Sequence, residues 1–190
     1  MPRSEIPGTL RRLLPVLFLG GATLFGSTAA GAFEDVHLAP EAFIAGIFPG
    51  QSVRAGKLAC SEELGWRIAD ALGHATREKR FRYWQAGTRT AWILDETGKE
   101  RPITIGVAVD NGRVVAIRVL IYRETHGHEV ADPAYTKRYE GAALAADDRL
   151  DRDIDNITGA TLSARAMTRV ARAALVLDDW VHRHEDIPAP

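Results

Sequence analysis

The residues best equipped for chemistry lie in the run Asp155-Asn-Ile-Thr158-Gly159-Ala160-Thr161-Leu-Ser163. Two threonine hydroxyls flank a Gly-Ala step, an acid stands upstream and a long helical pattern follows. Glycine lets the backbone turn left-handed or approach a ligand closely. Thr161 then stands at the mouth of the following helix, where free amides and the positive dipole end favour a phosphate. The same residues also make an ordinary helix cap. A second polar cluster is Tyr122-Arg-Glu124-Thr125-His126-Gly127-His128-Glu129-Val130. Polar groups at a strand end, with a glycine to turn the chain, suit a pocket wall or a solvated strand end. On a strand, His126 and His128 share a face and Glu129 takes the other. Two ligands are too few, so no metal site is expected. His182 and His184 sit where a helix C-terminus favours histidine. The chain has no Gly-x-Ser-x-Gly elbow, P-loop or Gly-x-Gly-x-x-Gly fingerprint, and no catalytic residue is expected.

The first run resembles the flavinylation motif of the FMN-binding domain family, which includes flavin-bearing components of the sodium-pumping NADH:quinone reductase and of the Rnf complex. In that family an extracytoplasmic flavin transferase joins FMN to the last threonine of Asp-x-x-Thr-Gly-Ala-Thr through a phosphoester. The resemblance implies FMN covalently held at Thr161, with Asp155, Thr158, Gly159 and Ala160 as recognition residues. A Glu-Thr-x-Gly segment borders the isoalloxazine ring in the family, and Glu124, Thr125 and Gly127 match it. Many members carry Pro where this chain has His126. A later aromatic–Gly element is similar to Tyr139-Glu-Gly141. The resemblance runs from about Pro40 to about Val181. It implies an electron-transfer flavoprotein rather than a stand-alone catalyst, with the transferase and a membrane-bound electron donor or acceptor as partners. An FMN-bearing sensory or assembly module of a membrane redox complex is the alternative.

These segments need elements to position them. Pro40 to Ile47 reads as a short helix with Pro49-Gly50 as its stop. Ser61 reads as the N-cap of a second helix, with Leu64, Ile68, Ala71 and Leu72 on one face and Gly73 at its end. From Phe81 the pattern turns to strands: Arg82–Gln85, Thr90–Leu94, Ile103–Val109 and Val114–Tyr122. Asp110-Asn111-Gly112 between the last two is a hairpin signal. Residues 131–154 read as loop with a helical turn, Tyr135, Tyr139 and Leu144 pointing inward. Leu162, Ala166, Val170, Ala173, Leu177 and Val181 recur at helical spacing, so a helix is expected from near Ser163 to about His182. Trp66, Trp84, Trp92 and Trp180 read as core or sheet-face packing. The fold expected is α+β, a single domain with an antiparallel sheet and helices packed on one face.

Composition limits the setting. Arg3, Arg11 and Arg12 precede an apolar run from Leu13 to Phe25 that ends in Ala30-Gly31-Ala32, the pattern of a secretory signal peptide over residues 1–32, cut before Phe33. A retained anchor is the alternative, since Leu13 to Ala32 is just long enough to cross a bilayer. Either reading places the domain, residues 33–190, in the periplasm. Without residues 1–32 the 24 basic and 25 acidic side chains become 21 and 24, a net charge of −3. That charge carries no basic excess for nucleic acid, and none is expected as a partner. The single cysteine, Cys60, excludes an intrachain disulfide and reads as a small buried hydrophobe.

Overall fold

Alternation of apolar side chains builds the central element, an antiparallel sheet. The computed structural model describes residues 34–184; the expected signal segment lies outside them. The strands are β1 (Asp35–Val36), β2 (Arg54–Ala59), β3 (Arg80–Ala86), β4 (Arg89–Thr97), β5 (Pro102–Asp110) and β6 (Arg113–Tyr122), in the spatial order β1-β6-β5-β4-β3-β2. Asn111 and Gly112, with φ of 50° and 69°, close the β5–β6 hairpin. Two left-handed residues match the strand twist, which is why Asn-Gly is favoured there.

Helix α2 (Glu62–Leu72) and the long α4 (Thr161–His184) pack on one face of this sheet, as expected. The Ser61 hydroxyl caps α2 by accepting from the Leu64 amide at 3.2 Å, and Gly73 ends it with φ 75°. Trp92, Ile103, Ile105, Val107 and Val109 meet Met167, Val170, Ala174 and Leu177 of α4 in the main core. The alternate residues Ala91, Ala108 and Leu120 face the other way. There the short α1 (Pro40–Ile47) seats Phe43 against them, so the helices do not all share the one face that was expected. Gly106 makes room, because a Cβ on it would lie 2.7 Å from the Phe43 ring.

Residues 128–139 form 3-10 turns around a single helical turn, α3 (Pro133–Thr136), and Tyr135 and Tyr139 point inward as expected. The Tyr139 hydroxyl meets Thr168 at 3.0 Å on α4. Burial pushes the phenol far above its ordinary range. Trp66 corrects one expectation: it is 70% exposed. Two residues beyond Leu64 on α2, it falls off the apolar stripe. Cys60 is half-buried against the core and burial raises its thiol pKa, the condition of an unreactive cysteine. His182 and His184 place their Nδ1 atoms 2.9 Å from the carbonyls of Asp178 and Trp180, capping the last turn of α4. Among the described residues, no helix is long and apolar enough to cross a membrane.

Candidate functional site

The two polar segments of the sequence meet in one cleft of about 450 Å³. One wall is Glu124, Thr125 and His126, just after β6; the other is Gly159, Ala160, Thr161, Leu162 and Ser163; Lys99 and Glu100 of the β4–β5 turn close one side. Its size falls in the range of small-molecule sites, roughly 300–1,000 Å³.

Helix α4 begins inside this cleft. The Ala160 carbonyl accepts from the Ala164 amide at 2.9 Å, so Ala160 is the N-cap and Thr161 the first helical residue. The first amides of a helix have no intrahelical acceptor, and the dipole adds partial positive charge there. Gly159, with φ 89°, turns the chain into the helix. The Thr161 hydroxyl is half-buried and makes only a long contact, 3.4 Å, to the Ile157 carbonyl.

The neighbouring hydroxyls differ. Ser163 is 4% exposed, and its Oγ lies 2.9 Å from the Tyr122 hydroxyl. Tyr122 in turn donates to the His126 carbonyl at 2.6 Å. Burial raises the Tyr122 pKa, despite the lowering effect of Ser163. Thr158 is exposed and outside the cleft. Asp155 is also outside it, with its carboxylate open to solvent and 3.7 Å from Arg138.

Glu124 has a task that sequence reasoning did not anticipate. Its side chain is 4% exposed, and Oε1 accepts from the amides of Lys99 (2.5 Å), Glu100 (2.7 Å) and Arg101 (3.0 Å). Burial alone would raise this carboxyl; the three amides outweigh it and hold its pKa below the ordinary value. The carboxylate therefore fixes the β4–β5 turn that borders the cleft. Glu96 anchors the same corner: 4% exposed, it pairs with Arg169 of α4 at 2.6 Å and with His74 at 3.1 Å. Gly127 stands behind the wall. Its φ is 92°, and a Cβ there would lie 2.8 Å from the Tyr122 hydroxyl and 3.0 Å from Ser163 Oγ.

Of the expected site residues, Thr161, Gly159, Ala160, Glu124 and Thr125 line the cleft together, Gly127 supports it, and Asp155 and Thr158 lie on its approach. Lys99, Glu100 and Ser163 join the site without having been anticipated. No sequence motif carries the first two; they arrive through the turn that Glu124 grips. Tyr139 and Gly141 are outside the cleft, as are all four tryptophans.

A helix N-terminus facing a polar strand end across a cleft is the arrangement of a site for a phosphorylated small molecule. The family model of FMN-binding domains matches residues 98–176, which hold every residue lining the cleft. That stretch matches the FMN-binding domain family, and the match supports a flavin-binding protein with FMN as its cofactor. No curated relative and no solved structure matches the chain.

Proposed function

We propose that the protein is an exported flavoprotein that carries FMN in a phosphoester to Thr161 and relays electrons between membrane and periplasmic redox partners. The observation that carries this reading is the position of the Thr161 hydroxyl. It opens the first turn of α4, inside the cleft that the Glu124–His126 wall completes. The residues present fit the group. The amides of the first helical turn suit its phosphate, Lys99 adds a cation at the cleft edge, and the strand-end wall suits the ring. Bound FMN supplies one- and two-electron redox chemistry.

The chain's own residues do the rest. Thr161 tethers, while the amides of Thr161 to Ser163 hold negative charge. Thr125, whose Oγ1 lies 2.8 Å from His126 Nδ1, presents hydrogen-bonding groups that bias the ring's redox states. Glu124 keeps the bordering turn in place. The burial of Ser163 and its bond to Tyr122 make it a poor rival for attachment, and exposed Thr158 lies off the cleft. The approach from Asp155 to Gly159, exposed except at Ile157, leaves the motif readable by a flavin transferase in the folded protein. With neither a dinucleotide fingerprint nor a nucleophile elbow in the sequence, electron relay to a membrane-bound partner suits the protein better than chemistry on a soluble substrate.

The test is in-gel flavin fluorescence of the exported protein after co-expression with a flavin transferase and denaturing electrophoresis. Wild type and Ser163→Ala are expected to fluoresce, and Thr161→Val is not. Intact mass should show the FMN adduct on the same two proteins. Covalent flavin retained in Thr161→Val would refute the attachment.

A further inference from the structure

Away from the cleft, a second group of side chains has the chemistry of a ligand set. The Asp35 carboxylate Oδ2 lies 3.5 Å from His37 Nε2 and 3.8 Å from His128 Nδ1. The three ligand atoms all lie within 4.8 Å of one another. Sequence reasoning paired His128 with His126 on a strand. The chain has already left β6 at that point: residues 128–131 form a 3-10 turn, and His126 directs Nδ1 to Thr125. The histidine that faces His128 is His37, brought over by β1, with ring centroids 6.3 Å apart.

We propose that Asp35, His37 and His128 bind a first-row divalent transition-metal ion such as Zn²⁺. Two imidazoles are borderline donors, and beside a single carboxylate they suit such ions better than the hard cations Mg²⁺ and Ca²⁺. Bonds of about 2.0–2.1 Å at tetrahedral angles set ligand atoms roughly 3.3 Å apart. Two of the observed separations are already close to that, and side-chain rotation closes the third. The side chains are 42% (Asp35), 31% (His37) and 40% (His128) exposed, so an ion has an entry path and keeps positions open for water.

The position gives the site a purpose. β1 is two residues long and pairs with the end of β6, where the His37 amide donates to the Leu120 carbonyl at 2.9 Å. A metal ion would clip this short strand to the loop that follows β6. That loop is also the cleft wall. The Tyr122 ring lies 4.5 Å from the His128 ring, and its hydroxyl reaches Ser163 in the cleft. The metal therefore stiffens the wall from behind.

The experiment uses the exported protein without affinity histidines, stripped with chelator and titrated with Co²⁺ while visible d–d absorption is followed, then with Zn²⁺ in competition. One equivalent of Co²⁺ is expected to bind and to be displaced by Zn²⁺ but not by Mg²⁺ or Ca²⁺. Loss of a directly coordinating side chain should cost at least the tenfold typical of lost supporting contacts. His37→Ala, His128→Ala and Asp35→Asn should thus each weaken binding about tenfold or more, with His126→Ala and His184→Ala unchanged. Circular dichroism checks that each variant folds. Wild-type protein that binds no Co²⁺ up to about 1 mM would overturn the proposal, leaving the three side chains as an ion-pair cluster. Binding that survives both His37→Ala and His128→Ala would overturn it equally.

Discussion

Replacing Asp178 by asparagine should destabilise the protein in acid and stabilise it in mild alkali. Asp178 lies near the far end of α4 and is 2% exposed. Its Oδ1 accepts from the Thr90 hydroxyl at 2.6 Å, and that hydroxyl accepts from Trp92 Nε1 at 2.9 Å. Burial pushes the carboxyl up from 3.8 to about 6, against the lowering effects of Thr90 and of His182. His182 Nδ1 is 3.4 Å away. A folded pKa above the unfolded one means folding favours the protonated acid. The associated stability is complete below pH 3.8 and is lost as pH rises through about 6. Two pKa units at about 1.4 kcal/mol each make the loss roughly 2–3 kcal/mol between pH 4 and pH 8.

Asparagine stays neutral throughout, and its Oδ1 can still accept from Thr90. Its amide lacks the acid's partner geometry, at a cost of roughly 1–2 kcal/mol. The variant should therefore be about 1 kcal/mol less stable than wild type at pH 4 and about 1 kcal/mol more stable at pH 8. For a domain of this size, 1 kcal/mol moves Tm by roughly 2–4 °C. Urea unfolding followed by tryptophan fluorescence, at pH 4, 6 and 8, gives the comparison. The same ranking at all three pH values would refute the reasoning, because the carboxylate would then be ionised in the fold and held by His182.

Gly127→Ala should cost roughly 1–3 kcal/mol through its left-handed backbone and also lower flavin content, because the new methyl displaces Tyr122 and Ser163 at the back of the wall. Unchanged flavin content in folded Gly127→Ala would separate that glycine from the site. Glu124→Gln should lose roughly 1–3 kcal/mol at neutral pH through weaker bonds to the turn amides. Because the folded pKa of Glu124 is lowered, its contribution is present above the ordinary 4.5 and lost as pH falls through the folded value. The gap between wild type and Glu124→Gln should accordingly narrow in acid, and a gap that widens below pH 4.5 would contradict the turn-holding role.

Short-range signals were the readable ones. The Ser61 and Gly73 caps, the Asn111-Gly112 hairpin and the apolar stripe of α4 depend on neighbours within a few residues, and the structure has them all. Thr161 at a helix mouth was legible for the same reason, although α4 begins two residues before Ser163. Strand β2 was not. Arg54-Ala-Gly-Lys-Leu-Ala holds no β-branched residue, and its strand state comes from pairing with β3. Gly56 is part of that fit, since a Cβ there would lie 2.4 Å from the Tyr83 ring. The docking of Phe43 over Gly106 and the grip of Glu124 on the amides of residues 99–101 likewise join distant parts of the chain. No local window contains both partners. Trp66 is different: the spacing of Leu64, Ile68 and Ala71 already pointed it outward.

The cleft draws its whole lining from residues 99–163, whereas α1, α2 and strands β1 to β4 lie outside that interval except through the packing they provide. Affinity is thus written in one half of the gene, while rigidity draws on both. The first half can drift in sequence as long as Phe43, Ile68, Trp92 and their like keep filling the two faces of the sheet. The second half has less latitude, because a shift of one residue between Lys99 and Ser163 would move a turn, a wall or the helix mouth relative to the others. Shuffling experiments that exchange residues 34–97 between relatives should consequently produce hybrids differing in melting temperature but alike in ligand preference.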